Sequence, residues 1–302
     1  HRTLEQNLGR IGKVTPKEYW APLTGPLWGY RRKARLSVLY VHKIDRVLVG
    51  FRELYGRFVA DMMECHVLDP RIAEQLPELS RLIYSMDARR TIPQIEVACG
   101  DLQCALVFRH LEPLSEDDLE RLKAYARNSG IAVLLQAGGP ATVLCLEPGS
   151  VELQFGFPEF GVDLEFGPSD FIQVNAELNR KMVSRAVELL DPGPDDRVLD
   201  LFCGLGNFTL PIATRAGQVV GVEGDQELVR KGTRNAQRNG LDNARFHMAD
   251  LNEEPGTAPW LKTAYDKVLV DPPRSGAEFI LPHIAASNAR RLVYVSCHPA
   301  SL

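Results

Sequence analysis

The chain has 302 residues, 45% hydrophobic and 25% charged, a composition that excludes disordered and collagen-like chains and gives room for about two globular domains. The formal net charge of −4 excludes a uniformly basic nucleic-acid binder, though not a local basic face. Six scattered cysteines (Cys65, Cys99, Cys104, Cys145, Cys203 and Cys297) make no disulfide framework in a chain this long, so a reducing cytoplasm is the expected compartment. No apolar run reaches the ~18 residues of a membrane span, and no membrane partner is expected.

The opening, His1-Arg2-Thr3-Leu4, has neither the Met of a natural start nor the pattern of a signal peptide, so it reads as a fragment or a chain with a disordered beginning. A short helix is predicted from Arg2 to about Lys13, then a connector rich in Pro and Gly from Pro16 to Gly29. In Tyr30-Arg31-Arg32-Lys33-Ala34-Arg35-Leu36-Ser37-Val38-Leu39-Tyr40 the second half alternates, with Leu36, Val38 and Tyr40 on one face of a strand. Its hairpin partner is predicted over Arg46 to Phe51, and two more strands over Ile92–Cys99 and Gln103–His110 flank a turn at Gly100-Asp101. Ser115 caps an acidic first turn of a helix that stops at Gly130, and Ile131–Leu135 is another strand. Residues 30–165 therefore read as a smaller α+β domain with mainly antiparallel strands, preceded by a segment over 1–29.

The pattern changes after Phe166-Gly167-Pro168. Helix Ala176–Leu190, strand Arg197–Leu201, a helix after Asn207, strand Gln218–Glu223, helix Gln226–Asn239 and strand Ala244–His247 follow in turn. Strand Lys267–Val270, a helix near Glu278–Ala286 and strand Leu292–Ser296 come next, and the chain stops soon after, at Ala300-Ser301-Leu302. Such alternation with apolar strands predicts a doubly wound parallel α/β sheet over 166–302, incomplete at its C-terminus. Ligands of such sheets bind outside the carboxyl ends of the strands.

Three chemistry-bearing motifs fall at those ends. The first is Asp200-Leu201-Phe202-Cys203-Gly204-Leu205-Gly206-Asn207, a glycine loop between a strand and a helix, where a ligand can approach the backbone closely. Glu223, ending the next strand, is placed to accept hydrogen bonds from a ribose diol, and Asp250 to reach an adenine amino group. A dinucleotide fingerprint would need a third glycine where Thr209 stands, which argues against NAD. The loop instead resembles the S-adenosylmethionine loop of class I methyltransferases, a Rossmann-like fold. Cys203 reads as a small loop residue.

The second motif, Asp271-Pro272-Pro273-Arg274, resembles the acidic Pro-Pro corner of nucleic-acid methyltransferases, in which two prolines stiffen the turn that carries the acid. The third is Val293-Tyr294-Val295-Ser296-Cys297-His298-Pro299, which brings a single cysteine to a strand tip. Carbon 5 of uracil is too poor a nucleophile to attack a methylsulfonium; a thiolate adding to carbon 6 turns the ring into an enolate and makes carbon 5 reactive. A buried, inert cysteine is the competing reading for Cys297, and its place beside His298-Pro299 argues for a loop instead. His298 reads either as a group that lowers the thiol pKa or as a surface loop residue.

Taken together, Asp170-Phe171-Ile172-Gln173-Val174-Asn175, the Phe202–Asn207 loop, Asp271-Pro272-Pro273-Arg274 and Ser296-Cys297-His298-Pro299 resemble the RNA uracil-5-methyltransferases over essentially the whole chain. The basic stretch from Trp28 to Leu36 resembles the branch that methylates bacterial 23S ribosomal RNA. The resemblance implies that Cys297 is the nucleophile and that Gln173, Phe202, Asn207, Glu223, Asp250 and Asp271 line the S-adenosyl-L-methionine site, with Gln173 and Asp271 also candidates to face the target base. It further implies a [4Fe-4S] cluster, of whose four cysteines only Cys65 has a counterpart here, and a proton-abstracting Glu in a segment beyond Leu302. His298 departs from the family, which has Asn there. The implied partner is 23S ribosomal RNA, met by a monomer.

For the RNA, Arg31, Arg32, Lys33 and Arg35 are the candidate contacts, with Arg31, Lys33 and Arg35 on one strand face; a solvated strand edge is the competing reading. The target uracil must leave its stack to meet Cys297. Transfer RNA, another base position and a noncatalytic RNA binder remain as alternatives. Cytosine-5 enzymes pair two cysteines, one beside the Pro of the acidic corner, and Pro272-Pro273 has none.

Overall fold

The computed structural model describes residues 2–298 apart from Tyr55, Arg57, Pro148, Ser150 and Pro255, so Pro299 of the cysteine motif lies outside the described residues. The chain forms two compact units. One holds residues 25–155 and 165–179; the other holds 1–24, 156–164 and the chain from 180 onward. The boundaries expected at 29/30 and 165/166 differ from this division, because the chain leaves and re-enters each unit. Gly and Pro mark where a chain turns, not which body the next segment joins.

After α1 (Arg2–Arg10), the first unit builds a six-stranded sheet from β1 (Lys33–Val41), β2 (Arg46–Gly50), β3 (Gln94–Cys99), β4 (Cys104–Arg109), β5 (Ala132–Gln136) and β6 (Val143–Cys145). Its order is β2-β1-β3-β4-β5-β6, antiparallel throughout except for the parallel β4–β5 pair. In β1 the alternation holds: Ala34, Leu36 and Val38 are buried while Arg35 and Leu39 are exposed. After the short α2 (Pro70–Ala73), helices α3 (Leu76–Ser85) and α4 (Glu116–Ser129) supply Leu76, Leu79, Ile83 and Leu122 to the same core as Leu36 and Ile95. Ser115 caps α4 by accepting the Asp118 N–H, and Gly130 ends it at φ 69°.

A hairpin of β7 (Gln154–Phe157) and β8 (Val162–Glu165) and helix α5 (Ala176–Leu190) lead to the parallel sheet. That sheet holds β9 (Arg197–Leu201), β10 (Gln218–Glu223), β11 (Ala244–Met248), β12 (Lys267–Val270) and β13 (Arg291–Tyr294), in the order β11-β10-β9-β12-β13. Residues 198–201 of β9 and all of β12 are buried, as strands covered on both faces must be. The connecting helices are α6 (Thr209–Ala213), α7 (Gln226–Arg238) and α8 (Leu281–Ala286). The helix after Asn207 is only five residues long and carries Pro211 inside it, and α8 starts later than the sequence suggests.

At the N-terminal ends of neighbouring strands lies an ion network. Lys267, 7% exposed, sits 2.8 Å from Asp196 and also donates to the Asp191 carbonyl; Arg290 reaches Asp196 at 2.6 Å and Asp266 at 3.2 Å. Burial alone would raise the Asp196 carboxyl, but Lys267, the Gly193 N–H and Arg290 outweigh it and hold the group below its ordinary value. This contribution to stability is present above the unfolded carboxylate range and is lost as the pH falls through the folded value. Lys267→Met should destabilise the protein by roughly 3 kcal/mol, because a buried carboxylate loses a partner. Chemical denaturation at pH 7 checks this.

Candidate active site

The register of the parallel sheet sets the site. Leu201 pairs with Val222 on one side and Val270 on the other, Val270 pairs with Tyr294, and Glu223 with Met248. Phe202, Glu223, Asp271 and Val295 therefore leave the sheet at one height. From β9 the chain goes to β10 and β11 on one side and only then to β12 on the other, so the crevice of this doubly wound sheet opens between β9 and β12.

Backbone conformation shapes the loop after β9. Phe202 lies at φ 61°, Gly204 at 56° and Gly206 at 103°. A non-glycine residue held in the left-handed region is strain of the kind that collects at functional sites. A Cβ on Gly206 would sit 3.0 Å from Leu210 Cγ, whereas one on Gly204 would meet nothing within 4 Å, so the open side of the loop is at Gly204. Cys203 is buried, and a Cβ on Gly221 would come within 2.8 Å of its Sγ. Burial pushes its thiol well up, so it packs the loop and stays protonated. Asn207 is half-buried at the loop's end.

Glu223 ties the loop to the next strand. Its Oε2 accepts the Gly204 N–H at 2.9 Å and its Oε1 accepts the Asp225 N–H at 3.1 Å. Each oxygen keeps a second lone pair, the arrangement that two hydroxyls of a ribose need. Asp250 is exposed, with Oδ1 accepting the backbone and side-chain N–H groups of Asn252 and Oδ2 left over. Open glycine backbone, a satisfied but still accepting glutamate and a further acid on the next strand end fit an adenosine-bearing ligand such as S-adenosyl-L-methionine.

Beneath the loop lies a carboxylate to which the sequence reading gave no role. Asp200 is fully buried; its Oδ2 pairs with Thr209 Oγ1 at 2.5 Å, and its Oδ1 has no partner among the described residues. Burial raises its pKa to about 8, against the Thr209 bond and with help from the charges of Asp271 and Glu223. Asp200 therefore holds a proton at neutral pH and anchors the loop as a neutral acid. Its signal in the sequence is an acid inside an otherwise apolar strand, Val198-Leu199-Asp200-Leu201.

Asp271 follows β12 directly, half-buried between the β9 loop and β13. Its backbone N–H donates to the Leu201 carbonyl, but among the described residues its carboxylate accepts no hydrogen bond. Burial raises it to about 6, and its charge adds to the burial that raises Tyr294. Cys297 is exposed and stands three residues beyond the end of β13, not at the strand tip; one further sheet bond, Val295 N–H to the Val270 carbonyl, precedes it. A turn shapes the cysteine loop: Ser296 Oγ accepts the His298 N–H at 3.1 Å and donates to its carbonyl at 2.9 Å. His298 is exposed.

Gln173 belongs to the other unit, where its carbonyl accepts Arg32 Nε at 2.8 Å. That bond corrects the reading of Arg32 as an RNA contact. The residue is 4% exposed, with its guanidinium 4.4 Å over the Phe155 ring, because alternation turns it to the side of Ala34 and Leu36. Lys33 Nζ donates to the Pro168 carbonyl, Arg35 is exposed and pairs with Glu96 at 3.0 Å, and Arg31 is half-buried, its backbone bonded to Val67 and Asp69.

Cys65 lines a groove of about 720 Å³ with Trp28, Met63, His66, Leu68 and Ala73. Among the described residues the one group of metal-ligating type is elsewhere, at Asp69, Cys99 and Cys104, and there Arg71 already pairs with Asp69 at 2.7 Å. Cys99 and Cys104 are cross-strand partners in β3–β4 with Sγ atoms 2.7 Å apart, which a spacing of isolated cysteines does not suggest. One cysteine cannot hold an iron–sulfur cluster, so these residues do not by themselves fit a [4Fe-4S] site.

Residues 42–258 match the model of the tRNA (Uracil-5-)-methyltransferase family. The chain belongs to this family. Among its relatives, the 23S rRNA (uracil(1939)-C(5))-methyltransferase RlmD of Xanthomonas euvesicatoria pv. vesicatoria is 54% identical over 301 residues, covering 100% of this chain and 68% of the relative. The enzyme of the same name from Alkalilimnicola ehrlichii is 54% identical over 300 residues, 99% of this chain and 67% of that one. The solved Pyrococcus abyssi tRNA (uracil-54, C5)-methyltransferase, in complex with S-adenosyl-L-homocysteine, superposes on 99% of the chain and 74% of its own with a TM-score of 0.74. At 20% identity that likeness is one of fold. That enzyme thus shares the fold described above.

An upward-shifted acid costs stability once it ionises. The Asp271 penalty is absent below the unfolded carboxylate value and fully developed above about pH 6. Asp271→Asn should therefore raise stability at pH 8 by about 1–3 kcal/mol and leave it nearly unchanged near pH 3, below the unfolded value. Denaturant titrations at the two pH values check this, and an equal gain at both would contradict it.

Proposed function

We propose that the chain transfers a methyl group from S-adenosyl-L-methionine to carbon 5 of a uridine in 23S ribosomal RNA, through a covalent bond between Cys297 Sγ and carbon 6 of the base. The observation that carries the reading lies at the ends of the paired strands β12 and β13: an exposed thiol a short turn past β13, and directly after β12 a half-buried carboxylate that accepts no hydrogen bond among the described residues. The relatives that bear the RlmD name support the choice of ribosomal RNA.

S-adenosyl-L-methionine supplies an electrophilic methyl group. Glu223 and Asp250 hold the adenosine end, and the Phe202–Asn207 loop lets the ligand lie against open backbone at Gly204. By resemblance Gln173 counts among the residues that bind S-adenosyl-L-methionine. Cys297, freed from the sheet by the Ser296 turn, adds to carbon 6 of the flipped uracil, and the electron pair moves onto the ring as an enolate. Asp271 accepts a hydrogen bond from the polar edge of the pyrimidine and fixes carbon 5 toward the methyl group. After methyl transfer a base takes the proton from carbon 5, the carbon 5–carbon 6 double bond re-forms, and the Cys297 thiolate leaves. Arg31, Lys33 and Arg35 contribute to phosphate binding, with Arg35 exchanging Glu96 for RNA. By resemblance Cys65 serves as one ligand of a [4Fe-4S] cluster, and the protein works in the cytoplasm as a monomer.

A second reading keeps the chemistry and replaces the substrate by transfer RNA, which the family description names. Release of tritium from RNA carrying [5-³H]uridine separates the two. A 23S fragment should release tritium in proportion to methyl transferred, unfractionated transfer RNA should release none, and Cys297→Ala should lower the rate by ~10³-fold or more. Methylation without tritium release would put the methyl group on another atom and end the proposal.

A further inference from the structure

On the first unit, at the turn that follows β1, lies a surface of a different kind. Tyr40 and Tyr84 both donate their hydroxyls to Asp45, at 2.7 and 2.9 Å, one to each carboxylate oxygen. Asp45 is itself fixed in the left-handed region, φ 49°, closing the turn that follows β1. Over these rings lie two guanidinium groups: Arg89 is 5.8 Å from the Tyr40 centroid and 6.0 Å from that of Tyr84, and Arg90 is 5.1 Å from that of Tyr40. The His42 ring meets Tyr40 edge-on at 4.7 Å.

Arg35, Arg46, Arg81 and Arg127 each spend their charge on a carboxylate. Among the described residues Arg89 and Arg90 have no carboxylate partner within 4.0 Å; Arg89 donates once, to the Met86 carbonyl, and Arg90 makes no side-chain hydrogen bond. The acid at the centre of the cluster is occupied in orienting the two tyrosines. What remains outward is aromatic faces and edges of preorganised guanidinium groups, with exposed Lys43 alongside. Planar cations with open N–H forks suit phosphate oxygens, and tyrosine and guanidinium planes suit unstacked bases.

We propose that Tyr40, Tyr84, Arg89 and Arg90 form a second RNA-contact surface that grips an unpaired stretch of the substrate outside the methylation site. This rests on the reading of the protein as an RNA methyltransferase. The Asp45 bonds hold the rings, the rings hold the arginines, and the arginines meet phosphate; the cluster positions RNA and takes no part in the chemistry.

The test compares full-length wild type, Arg90→Gln and the double variant Arg89→Gln/Arg90→Gln. Binding to a 23S ribosomal RNA fragment and to transfer RNA is measured over a range of salt, with methylation kinetics on whichever RNA is a substrate. The double variant should bind RNA about 10-fold more weakly, and the slope of log affinity against log salt should fall by roughly 1 to 2. KM for RNA should rise while kcat and S-adenosyl-L-methionine affinity hold. Arg90→Gln, at an exposed side chain without hydrogen bonds, should give part of the effect and keeps the test decisive if the double variant folds poorly. Unchanged affinity and slope for every RNA that wild type binds would overturn the proposal. So would unchanged RNA binding with lost binding of a polyglutamate peptide, which would assign the surface to an acidic protein. Wild type that binds RNA without tritium release would instead refute the function, while the variants still decide the surface.

Discussion

In a parallel sheet every carboxyl end lies on one side, and the register of neighbouring strands decides which residues emerge together. Here the pairing of Leu201 with both Val222 and Val270, and of Val270 with Tyr294, brings Phe202, Glu223 and Asp271 out at one height, with Cys297 a short turn further along the same edge. A shift of one residue in β12 would turn Asp271 toward the opposite face. The chemistry of the candidate site therefore depends on the buried runs of β9 and β12, which admit one register because both of their faces are packed. The ion network at the opposite ends of these strands supports the same alignment.

Three acids near one another have three different surroundings. Asp200 is enclosed in the core and keeps its proton at neutral pH. Glu223 receives two backbone N–H groups and keeps a lone pair on each oxygen for a ligand. Asp271 has lost part of its water, and among the described residues its carboxylate accepts no hydrogen bond. The site is thus unfinished in a specific way: one acid is closed, one is shared, and one is open.

Much of the parallel sheet was legible in the sequence. Apolar runs set β9, β10 and β12 to the residue, because strands buried on both faces leave little room for another reading, and an amphipathic pattern set α5. Where local signals compete, the reading was less sharp. Pro211 shortens α6, and β13 yields to the Ser296 turn before it reaches Cys297. Alternation across β1 already put Arg32 on the side of Ala34 and Leu36, and the charge of the run obscured it. The proton on Asp200 and the exchange of segments between units depend on contacts between residues far apart in the chain, which no local pattern records, whereas Cys99 and Cys104, five residues apart, meet across the hairpin turn at Gly100-Asp101.

The central claim is that Cys297 attacks carbon 6 of a uracil, and a trapped adduct tests it most directly. The full-length protein, S-adenosyl-L-methionine and a 23S ribosomal RNA fragment carrying 5-fluorouridine are combined, digested and examined by mass spectrometry. Fluorine cannot be removed as a proton is, so the methylated adduct should persist, and the account predicts a nucleotide on the peptide that holds Cys297. Binding of both RNA and S-adenosyl-L-methionine without any adduct, or an adduct on a different cysteine, would contradict it.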